Sequence, residues 1–420
     1  MGQAQSHSDS FLKASKQFTP QELDNLRSKF RSIAHKSRSS EDLCIFASAF
    51  QAHYEIHGVL GARLYHLLSK KRGDGCVSFE DFVEAKAIAR KGSPEEKEAL
   101  AYSLLDVEDD GCVRKSDLEA VVTSCVKTVL GQGPDQAADE ATVAAIVRSA
   151  EFSERKQEPC MSLEDFRRWS RGVPAVRRVL ESLMADPEAG GQKWAVPDLV
   201  VPGDATCPVL LTREHAWLLG GALTPEELVT WRLAYSSKAH GLSFSTFVGK
   251  MASVQGPSVL VVRDASGALF GGFASQPWER RSDYYGDMHS FLFTLLPQAA
   301  IFRPSGANRN LQWCAINYQS DSLPNGCGFG GQVHHFGLFL DASFDSGESR
   351  PCVTFNSPSL SSSPRFTPDH IECWAVEILR STNAGDQVAL KGTVLERFKE
   401  DRAVLNMMGI ADHASATGEG

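Results

Sequence analysis

Apolar side chains recur three and four positions apart through roughly the first 185 residues, a spacing that places them on one face of a helix. One such stripe consists of Leu23, Leu26, Phe30 and Ile33. It follows Thr19-Pro20-Gln21-Glu22, a helix-start signal with a Thr N-cap, Pro at the first helical position and Glu in a capping box. Ser93-Pro94-Glu95-Glu96 repeats this signal. The pattern predicts an all-α first half.

The pattern changes in the second half, where short β-like runs are separated by turn residues. The runs are Ser258–Val262, Leu269–Ala274, Ser290–Leu296, Trp313–Tyr318, Phe336–Leu340, Cys352–Phe355 and Ile371–Val376. This spacing predicts a mainly antiparallel β-sandwich with a few helices. One of these helices is expected to start at Thr224-Pro225-Glu226-Glu227, with Leu228, Trp231 and Tyr235 on one face.

These patterns predict an α+β multidomain chain. The linker is expected at residues 186–208, which contain four prolines and three glycines with little periodicity. The expected segments are a flexible N-terminal tail over 1–18, a helical domain over 19–185, the linker over 186–208, a β-rich domain over 209–380 and a C-terminal tail with a helix over 381–420.

Residues 106–117 form the best candidate for a metal-binding loop. Calcium takes six to eight oxygens, and a 12-residue loop supplies them at fixed offsets around a glycine turn. Asp106, Glu108 and Asp110 hold the first, third and fifth positions. Gly111 supplies the turn and Cys112 offers its backbone carbonyl. The spacing predicts a weak calcium (or magnesium) site.

The other end of this loop argues against tight binding. Asp117 holds the last position, where glutamate is usual, and its side chain is one methylene shorter. Arg114 adds a repelling charge, whereas Val113 is placed to pair with a neighbouring loop. Helical hairpins that bind no ion are therefore the alternative.

Two further segments match each other, Cys76–Phe82 and Cys160–Phe166, and a weaker one precedes Phe50. Lysine and arginine replace carboxylates at residues 70–72, and the region 154–159 has lost the ligand pattern. The first half therefore resembles an EF-hand array, with two pairs of loops and at most one ion.

The chain begins Met1-Gly2-Gln3-Ala4-Gln5-Ser6, which matches the myristoylation pattern at Gly2. One myristoyl chain binds membranes only marginally, so a second signal is required. Such a signal is expected from a basic cluster, for which a solvated helix face is the alternative. The cluster consists of Arg27, Lys29, Arg31, Lys36 and Arg38.

Composition and simple sequence patterns argue against several classes of protein. A formal net charge of -9 argues against nucleic-acid binding, which favours a basic surface. The ten cysteines are scattered without a Cys-x-x-Cys pair, as expected for reduced thiols in the cytosol. No secretory signal is visible in the first thirty residues, and no apolar run reaches the length of a membrane span.

Residues 326–331 satisfy Gly-x-Gly-x-x-Gly, but the following His334–Leu340 alternates like a strand and not like a helix. A glycine-dense surface loop is expected instead, with Asn325, Gly326 and Gly328 as candidate partner contacts. The sequence has no nucleophile elbow, His-Glu-x-x-His motif or phosphate-binding loop. These observations predict a protein that is not an enzyme.

A set of ordered motifs resembles the TLDc domain, which implies a two-sheet β-sandwich flanked by helices. The motifs are Trp231–Ser236, His240–Phe244, Gly271–Ala274, Trp278, Gly286, Phe291–Phe293, Asn325–Gly331, Phe336–Leu338, Phe355–Pro358 and Glu372–Val376. The whole arrangement is similar to the mTOR-associated TLDc proteins and to plant proteins that pair EF-hand and TLDc regions. That resemblance implies a C-terminal helix with Leu395, Phe398 and Leu405 as apolar partner contacts.

The resemblance also implies a role on lysosomal membranes, in growth signalling and in binding the vacuolar-type proton pump (V-ATPase). We therefore expect a non-enzymatic, membrane-associated adaptor whose partners are V-ATPase subunits or components of the TOR pathway. Its expected place is cytoplasmic, peripheral on lysosomal, vacuolar or other endomembranes, with the nucleus as alternative. A calcium sensor with a myristoyl anchor and an oxidative-stress-resistance protein with an uncharacterised enzymatic activity are the competing hypotheses.

Overall fold

The computed structural model describes residues 2–378 except 37–41, 57, 71–74, 132–138, 156–157, 186–193, 204–207 and 321, and it does not define the side chains of 2–8, 154, 155 and 158. Several predicted features lie outside the described residues: Arg38, Leu395, Phe398, Leu405, most of the linker and the tail 381–420. The described residues contain both helices and sheets, which confirms the α+β prediction.

The chain divides into two compact units. The first unit comprises Met1–Asp198, Leu211–Leu228 and Leu295–Ile301. The second comprises Leu199–Leu210, Val229–Thr294 and the chain from Phe302 onward.

The first unit is built mainly from helices. In chain order they are α1 (Gly2–Ser15), α2 (Pro20–Ile33), α3 (Ala47–Tyr54), α4 (Gly58–Ser69), α5 (Phe79–Lys91), α6 (Pro94–Ser103), α7 (Lys115–Leu130), α8 (Glu140–Arg148), α9 (Leu163–Gly172), α10 (Pro174–Ser182) and α11 (Arg213–Gly220). The predicted start of α2 is confirmed, since Thr19 N donates to the Glu22 carboxylate at 2.7 Å and Glu22 N to the Thr19 hydroxyl at 3.2 Å. Arg178 attaches α10 to the end of α11 by donating to the Gly220 carbonyl at 3.2 Å.

Helix α1 differs from the flexible tail predicted for residues 1–18. Its Phe11 ring lies 6.3 Å from the ring of Phe79 on α5, and Ala14 and Phe18 are buried. Phe11 and Ala14 are three positions apart and share one face of α1, and Phe18 lies in the turn that follows the helix. The prediction is therefore wrong for residues 9–18, because this short stripe was overlooked among polar neighbours.

Two short β-bridges organise the turns of the first unit. Ile45 exchanges both backbone hydrogen bonds with Val77, at 2.9 and 3.2 Å, and Val113 does the same with Met161, at 3.1 and 2.9 Å. Short strands flank two of the turns: β1 (His35–Lys36), β2 (Leu43–Cys44), β3 (Ser153–Arg155) and β4 (Glu158–Cys160). Val113 thus pairs with another turn, as its position in the sequence predicts.

The turns that lead into α5 and α9 have the same geometry. In each, a serine N–H lies 3.0 Å and its hydroxyl 2.6 Å from an aspartate three residues on, Ser78 with Asp81 and Ser162 with Asp165. This agreement follows from the matching segments Cys76–Phe82 and Cys160–Phe166. The first unit therefore contains an internal repeat.

Two antiparallel sheets form the β-rich part of the chain. Their strands are β5 (Asp198–Val200), β6 (Thr230–Ser236), β7 (Ser258–Asp264), β8 (Leu269–Ala274), β9 (Phe291–Leu296), β10 (Ala300–Phe302), β11 (Gln312–Ala315), β12 (Gly326–Gln332), β13 (His335–Asp341), β14 (Gly347–Glu348), β15 (Arg365–Phe366) and β16 (Pro368–Glu377). The seven-stranded sheet has the order β10-β9-β8-β7-β16-β6-β5, and the five-stranded sheet the order β11-β12-β13-β14-β15. Two short helices accompany them, α12 (Ser237–His240) and α13 (Phe244–Met251).

The two sheets share one buried core, as expected of a sandwich. Leu260 and Phe270 contribute from the larger sheet, and Phe329 and Leu338 from the smaller. The contact is tight at Gly272, where an added Cβ would lie 2.6 Å from the Phe329 ring. Glycine at this position therefore sets how closely the sheets approach.

The helix predicted from Thr224 does not form. The capping box between Thr224 and Glu227 is present, but only a 3-10 turn follows, and residues 230–236 form β6. Trp231 and Tyr235 are four apart and would share a helical face, but in β6 the register shifts between Leu233 and Tyr235. Trp231 then lies opposite Val376 and Tyr235 opposite Cys373, three residues apart on β16, so the two side chains lie on opposite faces of the sheet. Residues 352–355 also differ from the prediction, since they form a turn closed by a Cys352–Ser357 bridge.

Candidate functional site

In the candidate metal loop, residues 106–117, backbone N–H groups donate hydrogen bonds to the loop's own carboxylates. Asp106 accepts hydrogen bonds from the backbone N–H of Asp110, at 3.2 Å, and of Gly111, at 2.9 Å. Asp110 accepts one from the N–H of Cys112, at 3.0 Å. Gly111 has a φ of 73°, a left-handed conformation that favours glycine and permits the sharp turn.

Basic side chains neutralise the remaining carboxylates of this loop. The Arg114 guanidinium lies 3.0 Å from Glu108 and 3.7 Å from Asp110. Asp117, in the last position of the loop, receives a 2.8 Å bond from Arg63 of α4. The two hydrogen-bonded pairs, Arg114–Glu108 and Arg63–Asp117, join opposite charges and are stronger than neutral hydrogen bonds.

A third cation lies beside the loop. Lys70 is 2.7 Å from the exposed carboxylate of Asp109, and this ion pair holds the pKa of Asp109 below its ordinary value. Asp109 occupies the fourth position, which contributes no side-chain ligand in a 12-residue calcium loop. Lys70 therefore offsets part of the loop's negative charge without contacting a side chain at a calcium-ligand position.

These contacts do not fit the oxygen set that calcium requires. Within the described ranges, no group of three or more His, Cys, Asp or Glu side chains is arranged to hold a metal ion. Cations of the chain contact Glu108, Asp110 and Asp117, so an ion would compete with them. Sequence reasoning identified Arg114 but missed Arg63, which comes from a distant helix and has no local signal.

The predicted lipidation site, Gly2, is the first residue of α1. Of the basic cluster, Arg27, Arg31 and Lys36 are exposed, and the Arg27 guanidinium lies 5.3 Å from the centre of the Phe79 ring. Arg27 therefore also packs on the element that holds α1. Among the described helices, none has the length and apolar character needed to cross a membrane. Myristoylation stays a prediction.

The predicted partner loop is instead a buried strand. Gly326 and Gly328 lie in β12, between β11 and β13, and both are buried. A Cβ on Gly326 would lie 2.7 Å from the Phe339 ring, so glycine is required by packing between strands. The surface-loop prediction is wrong for these two glycines because their role depends on a partner strand that local sequence does not specify.

Asn325, just before β12, closes the preceding turn. Its side-chain amide donates to the Tyr318 carbonyl at 2.8 Å, and its carbonyl accepts from the Tyr318 N–H at 2.9 Å. These two bonds hold the turn that connects β11 to β12. Contact between Asn325 and a partner stays a prediction.

A buried Ser–His–Glu group lies in the second unit, which is called the β-rich unit below. The Ser236 hydroxyl lies 3.0 Å from His370 Nε2, and that same nitrogen lies 3.5 Å from Glu372. In a catalytic triad the acid and the nucleophile contact opposite ring nitrogens. His370 and Glu372 are also inaccessible to solvent.

The remaining contacts of this group indicate a structural role. Glu372 accepts hydrogen bonds from the Leu210 N–H at 2.8 Å and from the Trp374 indole at 2.9 Å. Burial, and then the charges of Arg263 and Lys238, lower the pKa of His370 to about 4, so this imidazole is neutral near pH 7. The group therefore joins strands β6 and β16 and presents no nucleophile to solvent.

Comparison with known proteins extends these observations. The TLDc domain model matches residues 206–377, which include β6 to β16. The MTOR-associated protein MEAK7 of Danio rerio is 30% identical over 370 residues, which cover 83% of this chain and 80% of that protein. The chain belongs to the MEAK7 family of TLDc proteins.

The similarity of this MEAK7 family member to the Danio rerio protein extends well beyond the residues that the TLDc model matches. The MEAK7 of Mus musculus is 39% identical over 204 residues, 48% of this chain but only 44% of that protein. The nuclear receptor coactivator 7 of Homo sapiens is 39% identical over 147 residues, 35% of this chain and 15% of that protein. The TLDc resemblance inferred from the ordered motifs is thus confirmed.

A shallow pocket of about 160 Å³ lies in the first unit of this MEAK7 family member. It is lined by residues that include Glu151, Asp165, Arg168 and Trp169. Arg168 lies 2.9 Å from Glu151 and 3.8 Å from Asp165, so the one cation of the lining contacts both of its carboxylates. The pocket is smaller than typical small-molecule sites, which measure about 300–1,000 Å³.

Proposed function

We propose that this chain is a non-enzymatic adaptor that binds a TOR-linked protein assembly through its surface. The observation that carries the proposal is its similarity, over most of its length, to a Danio rerio protein named as MTOR-associated. The Ser236, His370 and Glu372 group is the set of side chains that most resembles a catalytic triad. It is buried and joins strands, so it does not meet a substrate, and this agrees with a binding role.

The adaptor is further proposed to act at a membrane. Gly2 stands in a myristoylation pattern, and the nearby Arg27, Arg31 and Lys36 are exposed cations that favour an anionic surface. A lipid chain and a basic patch together supply the two signals that stable attachment requires. V-ATPase subunits on lysosomal or vacuolar membranes are the proposed partners beside TOR-pathway proteins.

The pairs of cations and carboxylates in the loop 106–117 favour an adaptor that works independently of calcium. Arg63 and Arg114 contact carboxylates that a calcium ion would require. A calcium sensor would have to break both contacts on each binding event.

Affinity purification of the tagged full chain from cell membranes tests the proposal. The wild type is expected to recover TOR-pathway or V-ATPase subunits equally well in calcium and in a calcium chelator. Gly2→Ala is expected to move the chain to the soluble fraction, whereas the matched control Gln3→Ala is expected to stay with membranes. Recovery of neither class of partner from the wild-type membrane fraction would overturn the proposal.

A further inference from the structure

Two buried thiols meet beside the Ile45–Val77 bridge of the first unit, which is called the helical unit below. The Sγ atoms of Cys44 and Cys76 are 3.1 Å apart, and neither cysteine is in a disulfide. They are separated by 32 positions in sequence, so their contact is produced by the fold. Neither residue takes part in the loop, the sandwich or the lipidation signal described above.

The backbone explains why the two sulfurs meet. Each cysteine directly precedes a residue of the Ile45–Val77 bridge. Since side chains alternate along extended backbone, both thiols project to the face opposite Ile45 and Val77. The Tyr65 hydroxyl holds the two segments further, lying 3.0 Å from the Ile45 carbonyl and 2.7 Å from the Gly75 carbonyl.

We propose that Cys44 and Cys76 are a peroxide-sensitive dithiol that closes to an intramolecular disulfide. An S–S bond is about 2.05 Å long, so the sulfurs need to approach by about 1 Å from their present separation. Cys44 is 5% and Cys76 7% exposed, which admits a small oxidant such as hydrogen peroxide and disfavours a bulky one.

The reaction is a two-electron oxidation. One thiol loses its proton, and its sulfur attacks a peroxide oxygen, so that an S–O bond forms, the O–O bond breaks and the departing hydroxide takes up the proton as water. The second thiol then attacks the sulfenic sulfur; the S–S bond forms, the S–O bond breaks, and the leaving oxygen departs as water with the second thiol's proton. Two thiols are oxidised and one hydrogen peroxide is reduced to two waters.

The repeat within the helical unit supplies an internal comparison. Cys112 precedes Val113 and Cys160 precedes Met161, so these cysteines hold the equivalent places at the second bridge. Burial first, and then the adjacent Cys160, raise the pKa of Cys112 to about 11, which suppresses the reactive thiolate. Cys160 is also 2% exposed, less than either cysteine of the first pair, so peroxide reaches the second pair less easily and that pair is expected to oxidise more slowly.

Mass spectrometry of the full wild-type chain tests the proposal. The folded chain is treated with hydrogen peroxide, its remaining thiols are alkylated, and it is digested without reduction. The expected product is a peptide containing Cys44 joined to a peptide containing Cys76, and it should appear several-fold faster than a Cys112–Cys160 link. Cys125, which is fully buried, should stay reduced and serves as the control.

A stability measurement gives a second readout. Peroxide treatment should raise the thermal midpoint of the helical unit by roughly 5–10 °C, since a cross-link restricts the unfolded chain. The rise should vanish in Cys44→Ser and in Cys76→Ser and persist in Cys125→Ser. The proposal is overturned if the wild-type chain yields no Cys44–Cys76 link, if either sulfur proceeds to sulfinic acid unlinked, or if the second pair closes as fast. None of these readouts depends on a partner or a membrane.

Discussion

The Arg63 guanidinium on α4 lies 2.8 Å from the Asp117 carboxylate at the start of α7. The same guanidinium lies within 3.4 Å of the backbone carbonyls of Leu104 and Asp117. A side chain that is mostly buried thus joins the segment just before the loop 106–117 to the last residue of that loop. In a calcium-binding loop that bridging task belongs to the ion.

Calcium binding by the wild-type chain is therefore expected only at about millimolar concentrations or above. Replacing both arginines, by Arg63→Met with Arg114→Gln, frees Glu108, Asp110 and Asp117 and should tighten calcium binding at least about tenfold. Isothermal titration calorimetry with calcium chloride measures the change.

Lys70→Met is the matched control for this titration. It removes a cation beside the loop, but Asp109 holds no ligand position, so calcium affinity should not improve. A micromolar dissociation constant for the wild type would contradict the prediction.

Gly272→Ala should destabilise the sandwich by about 1–3 kcal/mol, because its Cβ would overlap the buried Phe329 ring. Gly249→Ala on the exposed part of α13 has open space and should instead stabilise by about 0.5–1 kcal/mol through helix propensity. Urea unfolding followed by tryptophan fluorescence measures both. Equal effects would show that the sheets do not pack as closely as described.

His370 should make the β-rich unit less stable in mild acid. Its pKa of about 4 in the fold lies below the ordinary value near 6.5, so in that interval the unfolded chain binds a proton that the folded chain does not. Stability from this residue is fully present above pH 6.5 and declines as pH falls toward 4. At pH 5 the loss should be on the order of 1–2 kcal/mol.

His370→Gln isolates this contribution because glutamine does not titrate. The difference in unfolding free energy between pH 7 and pH 5 should be smaller in the variant than in the wild type. Identical differences would mean that His370 does not titrate as its burial indicates.

Phe11→Ala should release α1 from α5, since the Phe11 ring contacts Phe79. Trypsin should then cleave after Lys13 and Lys16 several-fold faster than in the wild type. Leu12→Ala is the matched control, because the Leu12 side chain is 50% exposed and its loss removes little packing. Equal cleavage rates in the wild type and Phe11→Ala would contradict the packing of this helix.

Local signals in the sequence were sufficient where each element is specified by its own residues. The starts of α2 and α6 and the strands β7 and β8 follow from capping residues and from runs of apolar side chains. The TLDc resemblance was equally accessible, because it rests on many motifs in a fixed order. The C-terminal contacts Leu395, Phe398 and Leu405 lie outside the described residues and stay predictions.

Three of the misses share a physical cause, which is that the deciding partner is distant in sequence. Glycine usually marks turns, yet Gly326 and Gly328 belong to a strand because the neighbouring strand β13 approaches too closely for a Cβ. The Arg63–Asp117 pair and the Cys44–Cys76 contact likewise join residues tens of positions apart. Periodicity within a window contains no information about such pairs.

Strand β16 lies between β7 and β6 in the larger sheet, although it is the last strand in the part of the chain that the structure describes. During translation, β16 is therefore synthesised after β6 and β7, the two strands between which it inserts. A premature stop codon anywhere between residues 265 and 367 would yield polypeptides whose β6 and β7 each expose an unpaired edge, a template for aggregation. Nonsense alleles of this kind should give insoluble protein even though the helical unit is almost fully translated.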